Sequence, residues 1–318
     1  GDITHQSFNQ TTYEACKEYC DANKIDFQYF KPAGDSTEER VAKVEEAIDG
    51  GYNIIVMPGF AFAGTLYQVQ DKEEYKDVKF IALDVSEYDL FDCFYKHDET
   101  GARAGLIDEN NKEHISENVY CAVYKEELCG YMAGYAAVKL GYTHLGFLGG
   151  MAVPAVIRYG YGFVQGADAA AKELGTNIDI NYFYGGQFYG DANITSRMEG
   201  WYADGTQVVF ACGGGIWTSA LDAAETHDGK VIGVDVDQRS KIGERCLTSA
   251  MKGLPSAINN ALDSYFSGNF SELGGTAQQL GLKDGDYIGL PTDSESWGFT
   301  TFTQDQYETV LAGIRDGS

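Results

Sequence analysis

Residues 231–238 read Val231-Ile232-Gly233-Val234-Asp235-Val236-Asp237-Gln238, a short apolar run that stops abruptly in two carboxylates. Such a run is a buried strand of a parallel sheet. In α/β proteins the carboxyl ends of these strands open onto the ligand crevice, so Asp235 stands where a polar ligand is gripped. On spacing alone, a pair of solvated loop acids is the alternative.

The same alternation extends both ways along the chain. Helices are expected at 12–24, 36–49, 60–70, 126–140, 154–174, 190–204, 216–227, 254–267 and 304–315. Strands are expected at 26–30, 53–59, 78–85, 119–124, 143–150, 178–184, 206–212, 230–234 and 246–251, with strand-like pieces at 275–279 and 286–290. Ser36-x-x-Glu39 is a capping box that opens the second helix. Residues 86–118 are polar, acidic and aperiodic, and read as a loop or hairpin at a domain edge. The pattern implies two α/β lobes, each a doubly wound parallel sheet. Residues 1–120 plus 252–318 form a discontinuous N-terminal lobe and 121–251 the C-terminal lobe, with a hinge around a ligand cleft. The sequence shows no strand before Ser7: either it lies in a removed segment or the first sheet is one strand short.

The chain has 318 residues, enough for two domains. Its 48 acidic against 23 basic residues give a net charge of -25, which argues against nucleic-acid or anionic-lipid partners. No apolar run approaches the roughly 18 residues of a membrane helix. No signal peptide is visible, although the chain opens mid-loop and a leader, with any lipid anchor, could have been removed. Seven cysteines and five histidines show no metal-ligand spacing. Reduced, buried thiols are expected, with no metal and no cofactor. Residues 212–220, CGGGIWTSA, miss the dinucleotide fingerprint, and no P-loop, nucleophile elbow or Cys–His arrangement appears.

Several stretches taken in order resemble the basic membrane protein, or PnrA-like, family of ABC-importer substrate-binding lipoproteins. They are Ser7-Phe8-Asn9-Gln10 before a Tyr-Glu helix, Phe80-Ile81-Ala82-Leu83-Asp84, and EELCGYMAG at 126–134. Leu145 to Gly150 with Tyr161-Gly162-Phe163 and Gly166-Ala167, then IGVDVDQ and Leu247-Thr248-Ser249-Ala250-Met251-Lys252, continue the likeness. The resemblance implies a type I periplasmic-binding-protein-like fold, a purine nucleoside ligand, a membrane permease as partner and an extracytoplasmic, monomeric protein.

It also implies roles. Phe8 and Phe188 would stack on the two faces of the base, which is sound because purines offer large π-faces. Phe8 lies between polar Ser7 and Asn9, unlike a core strand; core packing is the competing reading for both rings. Asn9 and Asp84 would meet the base edge, with an N-cap and a loop acid as their alternatives. Asp235 and Lys252 would hold the ribose, although Lys252 also reads as a solvated lysine at a helix start. Gly214 in the Gly213–Gly215 run would let backbone approach the ligand, since no Cβ intervenes. Trp217 stands where the family carries small residues, and the 86–118 stretch exceeds the family pattern.

Two other classes share parts of this pattern. A nucleoside hydrolase could use Asp235 and Asp237, but lacks the metal-binding acid cluster that chemistry wants. A sugar- or signal-binding protein shares the fold, and a regulator of that kind would carry a DNA-binding headpiece, absent from this sequence. The expectation is therefore a nucleoside-binding protein without a catalytic residue.

Overall fold

The computed structural model of the chain describes residues 7–97 and 114–316. It opens with α1 (Ser7–Asn23), α2 (Thr37–Asp49), β1 (Ile54–Pro58), α3 (Ala63–Val69), β2 (Lys79–Leu83), α4 (Glu87–His97) and β3 (Val119–Tyr124). Next come α5 (Glu126–Lys139), β4 (His144–Gly149), α6 (Pro154–Leu174), β5 (Asp179–Tyr184), α7 (Ala192–Ala203) and β6 (Val208–Cys212). Then follow α8 (Trp217–His227), β7 (Lys230–Asp235), α9 (Arg239–Ile242) and β8 (Cys246–Lys252). The chain closes with α10 (Leu254–Phe266), β9 (Thr276–Leu280), β10 (Ile288–Gly289) and α11 (Gln304–Asp316).

The described residues fall into two compact units, the first within 9–123 and 254–279, the second within 7–8, 124–253 and 280–316. Sequence alone groups all of 252–318 with the first lobe. Residues 280–316 instead cluster with the second unit, because Leu290, Phe302, Tyr307 and Leu311 pack into the core that holds Met132, Tyr135 and Phe163. The Leu290 N–H donates to the Tyr307 hydroxyl at 2.7 Å.

The first unit is built on a sheet of order β1-β2-β3-β9, with β1, β2 and β3 parallel. The α2 capping box forms: the Glu39 N–H donates to Ser36 Oγ at 3.2 Å and the Ser36 N–H to Glu39 Oε2 at 3.1 Å. A second box was hidden in the acidic stretch. The Asp89 N–H donates to Ser86 Oγ at 3.2 Å and the Ser86 N–H to Asp89 Oδ2 at 2.8 Å, so residues 87–97 are helix, not loop. The remainder, 98–113, lies outside the described residues. The strand expected at 26–30 does not form, because residues 25–32 find no ladder partner among the described residues. Extended backbone becomes a strand only beside another. Aromatic contacts hold it instead: Tyr13 meets Phe27 at 5.6 Å and Tyr29 at 5.7 Å, and Phe30 meets Tyr52 at 5.4 Å.

The second unit carries a six-stranded sheet of order β10-β8-β7-β6-β4-β5, parallel except for β10. Phe147, Phe210, Val234 and Ala250 pack with α5 and α6; Leu148, Val209, Ala211 and Val231 pack with α7 and α8. Both faces are therefore covered, as parallel strands require. The α5–α6 contact is unusually close, and glycine is the reason. A Cβ on Gly130 or Gly134 would fall 2.1 Å from the carbonyl oxygen of Tyr159 or Phe163. One on Gly162 or Gly166 would fall 1.8 Å from that of Glu127 or 1.9 Å from that of Tyr131. With backbones touching, Glu126 at the start of α5 and Arg158-Tyr159 on α6 converge at the end of β8. No helix among the described residues is long and apolar enough to cross a membrane.

Candidate functional site

β7 and β8 run parallel with Asp235 opposite Met251, so Asp235 and Lys252 end neighbouring strands. Asp235 adopts φ 66°, a left-handed backbone uncommon outside glycine and most tolerated by Asn and Asp. Its carboxylate is buried and already accepts from hydroxyls. Ser7 Oγ donates to Oδ2 at 2.9 Å, and the Tyr159 hydroxyl is shared between Oδ1 and the Ala250 carbonyl, each at 3.4 Å. Burial raises the pKa of Asp235, against the lowering pull of Lys252 and Ser7. Burial likewise pushes the Tyr159 hydroxyl far above its ordinary value, so it stays a neutral donor.

Lys252 is not a solvated lysine: its side chain is 2% exposed. The ammonium lies 3.2 Å from Glu126 Oε1 and 3.7 Å from Asp235 Oδ1. Three rings surround it, Phe8 at 4.8 Å, Tyr124 at 5.2 Å and Tyr159 at 5.7 Å from Nζ to centroid. Glu126, fully buried, gives its other oxygen to Arg158 Nε at 2.6 Å. Two cations and two carboxylates thus compensate one another inside the unit, which is what makes buried charge tolerable.

Phe188 stands at the same carboxyl edge of the sheet. Its ring fills the space where Gly150 and Gly213 lack side chains: a Cβ would lie 2.5 Å and 2.9 Å, respectively, from Phe188 Cδ1. The Gly215 N–H donates to the Phe188 carbonyl at 2.8 Å. The glycine run therefore admits Phe188 as well as bending the chain, with Gly213 at φ 145° and Gly214 at φ 52°. Trp217 opens α8, half-buried against the core between the sheet and α7–α8. Its buried Nε1 has no hydrogen-bond partner among the described residues.

Asn9 and Asp84 belong to the first unit. Asn9 sits inside the first turn of α1, so it is not the N-cap. Asp84 follows β2 at φ 58° and its N–H donates to the Ala122 carbonyl at 2.8 Å. Asp237 stays apart from the Lys252 cluster: it accepts from the Arg239 N–H at 3.0 Å and from the Ser296 hydroxyl, fastening the 293–296 turn. Sequence reasoning missed Ser7, Glu126, Arg158, Tyr124 and Tyr159. The seven cysteines are free thiols, and among the described residues no group of His, Cys, Asp and Glu is arranged for a metal ion.

Two α/β units with a charged, aromatic-walled cluster at the strand ends define a type I periplasmic binding fold. A solute-binding protein of an ABC transporter system from Aeropyrum pernix K1 matches with TM-score 0.73 at 18% identity, over 98% of this chain and 82% of that one. The Caulobacter myo-inositol binding protein matches with TM-score 0.59 at 14% identity, over 91% and 90%. The model of the ABC transporter substrate-binding protein PnrA-like family matches residues 1–309, and the chain belongs to that family. The nucleoside-binding protein BmpA of an ABC transporter in Lactococcus lactis is 25% identical over 305 residues, 89% of this chain and 77% of that one. Basic membrane protein B of Borreliella burgdorferi is 31% identical over 196 residues, 60% of this chain and only 56% of that relative's length.

Proposed function

We propose that the protein binds a nucleoside, with preference for purines, outside the cytoplasm and delivers it to an ABC-transporter permease without chemical turnover. The observation that carries this reading is Asp235, a buried carboxylate whose oxygens already accept from the Ser7 and Tyr159 hydroxyls beside a buried ammonium. Vicinal sugar hydroxyls ask for that same chemistry. Phe8 and Phe188 supply flat apolar faces for a base, Gly214 a close backbone and Trp217 an indole N–H. On the first unit, Asn9 and Asp84 are the proposed contacts to the base edge. Family membership and the nucleoside-binding BmpA relative support the ligand class. The protein would act as a monomer, tethered to a membrane only through a lipid anchor.

The charge arrangement favours a neutral ligand. Lys252 and Arg158 are each engaged by Glu126, and Asp235 would face a phosphate with repulsion and a desolvation cost. The test has two parts. Mass spectrometry of small molecules released on denaturing the purified protein should find a nucleoside. Titration of ligand-free protein with adenosine, guanosine, cytidine and their monophosphates should show nucleosides binding and monophosphates not. Tight monophosphate binding would overturn the charge argument, and release of free base would make the protein an enzyme.

A further inference from the structure

Glu126 is not itself assigned to the ligand, yet it lies at the centre of the buried charges. Its two oxygens are committed to different cations, Oε2 to Arg158 at 2.6 Å and Oε1 to Lys252 at 3.2 Å. Lys252 is therefore drawn more closely to Glu126 than to Asp235, which lies 3.7 Å away. Among the described residues, the nearest carboxylate to the ammonium without the Glu126 charge would be Asp235. A direct Lys252–Asp235 ion pair would then occupy the Asp235 oxygen that is otherwise shared with the Tyr159 hydroxyl. The rings of Phe8, Tyr124 and Tyr159 lie beside the ammonium. Arg158, with one-third of its side chain exposed, holds Glu126 from the other side.

We propose that Glu126, oriented by Arg158, is a positioning residue: it holds Lys252 off Asp235 so that ammonium and carboxylate are presented separately to sugar hydroxyls. This rests on the nucleoside reading of the site. The glycine contacts between α5 and α6 are what make it possible, since they fix the start of α5 against Arg158.

The test compares Glu126→Gln and Glu126→Asp in the parent and Lys252→Met backgrounds, by calorimetry with adenosine and with adenine. The signal of the Lys252 ammonium is followed by ¹H–¹⁵N NMR in the ligand-free protein. Glu126→Gln should weaken adenosine about tenfold or more, the value of a charge-assisted hydrogen bond, while adenine changes less than about twofold. Glu126→Asp should recover part of the loss. In Lys252→Met, Glu126→Gln should add nothing, because its effect runs through the ammonium. The ammonium signal should move in Glu126→Gln. Equal losses for adenosine and adenine, or an undiminished loss in the Lys252→Met background, would overturn the proposal. If the parent binds neither ligand, the nucleoside reading fails by itself, and the NMR signal decides: a Lys252 resonance unchanged by Glu126→Gln removes the positioning role. Should Glu126→Gln not fold, Arg158→Gln supplies the same comparison, with a smaller loss confined to adenosine expected and a loss shared with adenine overturning the proposal.

Discussion

Replacing Gly150 by alanine should disable base stacking without touching a polar group. Gly150 needs no left-handed backbone, so the substitution acts through space alone. The new Cβ would lie 2.5 Å from Phe188 Cδ1 and 2.7 Å from Cε1, where carbon atoms settle at about 3.5–4.0 Å. The ring must therefore retreat by about 1 Å, and it is the nearest group able to give way. The Gln187 carbonyl at 3.0 Å is fixed in the backbone. Displacement of Phe188 should cost roughly one base–aromatic stack, about 1–3 kcal/mol, or about 5- to 150-fold in affinity. Calorimetric titration with adenosine of the parent, Gly150→Ala, Phe188→Ala and the double variant measures this. In the Phe188→Ala background the added methyl has no ring to push, so the double variant should bind like Phe188→Ala. Parent-like affinity for Gly150→Ala, or additive losses in the double variant, would refute the reasoning.

Four further outcomes follow from named contacts. Asp235→Asn should weaken nucleosides by about 1.5–3 kcal/mol more than free bases, because a charge-assisted hydrogen bond to the sugar is lost; equal losses in calorimetry would move Asp235 off the ribose. The same substitution has a pH signature: burial raises the folded pKa of Asp235, so the native state binds that proton more tightly and its stability contribution falls as pH rises through that window. Urea denaturation should therefore show Asp235→Asn gaining relative to the parent as pH rises from the ordinary carboxylate value, and a constant difference would contradict it. Gly162→Ala should destabilise despite alanine's better helix propensity of about 1 kcal/mol, since its Cβ would sit 1.8 Å from the Glu127 carbonyl oxygen; an unchanged or higher Tm would show that the helices can part cheaply. Ser86→Ala should cost about 1 kcal/mol by removing the α4 cap, read from the first unit's denaturation midpoint, and no shift there would mean that the box contributes nothing.

Alternation and caps made most of the fold legible. Apolar runs bounded by glycine became β4, β6 and β7, and Ser36-x-x-Glu39 became the start of α2. The failures share one cause, a partner that only tertiary structure supplies or withholds. Residues 26–30 have a strand's composition but no neighbour to bond. At 87–97 the acidic residues concealed the Ser86–Asp89 box, whose spacing was nonetheless readable. Within the candidate site, Asp235 and Lys252 were legible as strand-terminal residues, because an apolar run that stops in a charge marks its own end. Glu126 and Arg158 could not be paired from sequence, being 32 residues apart on different helices. A signal did exist: Glu126 begins a helix in which Cys129, Gly130, Met132 to Val138 are all buried, with little polar face to turn toward water. Glu126 at the head of that helix is buried with it, and a buried carboxylate demands a cation.

Two aspartates at strand ends adopt a backbone that runs against local preference. Asp84 directly follows β2 in the first unit at φ 58°, and Asp235 ends β7 in the second at φ 66°. A left-handed turn at the last residue breaks the strand and redirects the chain, a task glycine would perform at lower strain. Glycine, however, brings no carboxylate, and the cost of the strained conformation is of order 1–3 kcal/mol. Aspartate is among the few residues that tolerate this backbone while still projecting an acceptor. For Asp235 the acceptor is already in use, on Ser7 and Tyr159, and is balanced by Lys252.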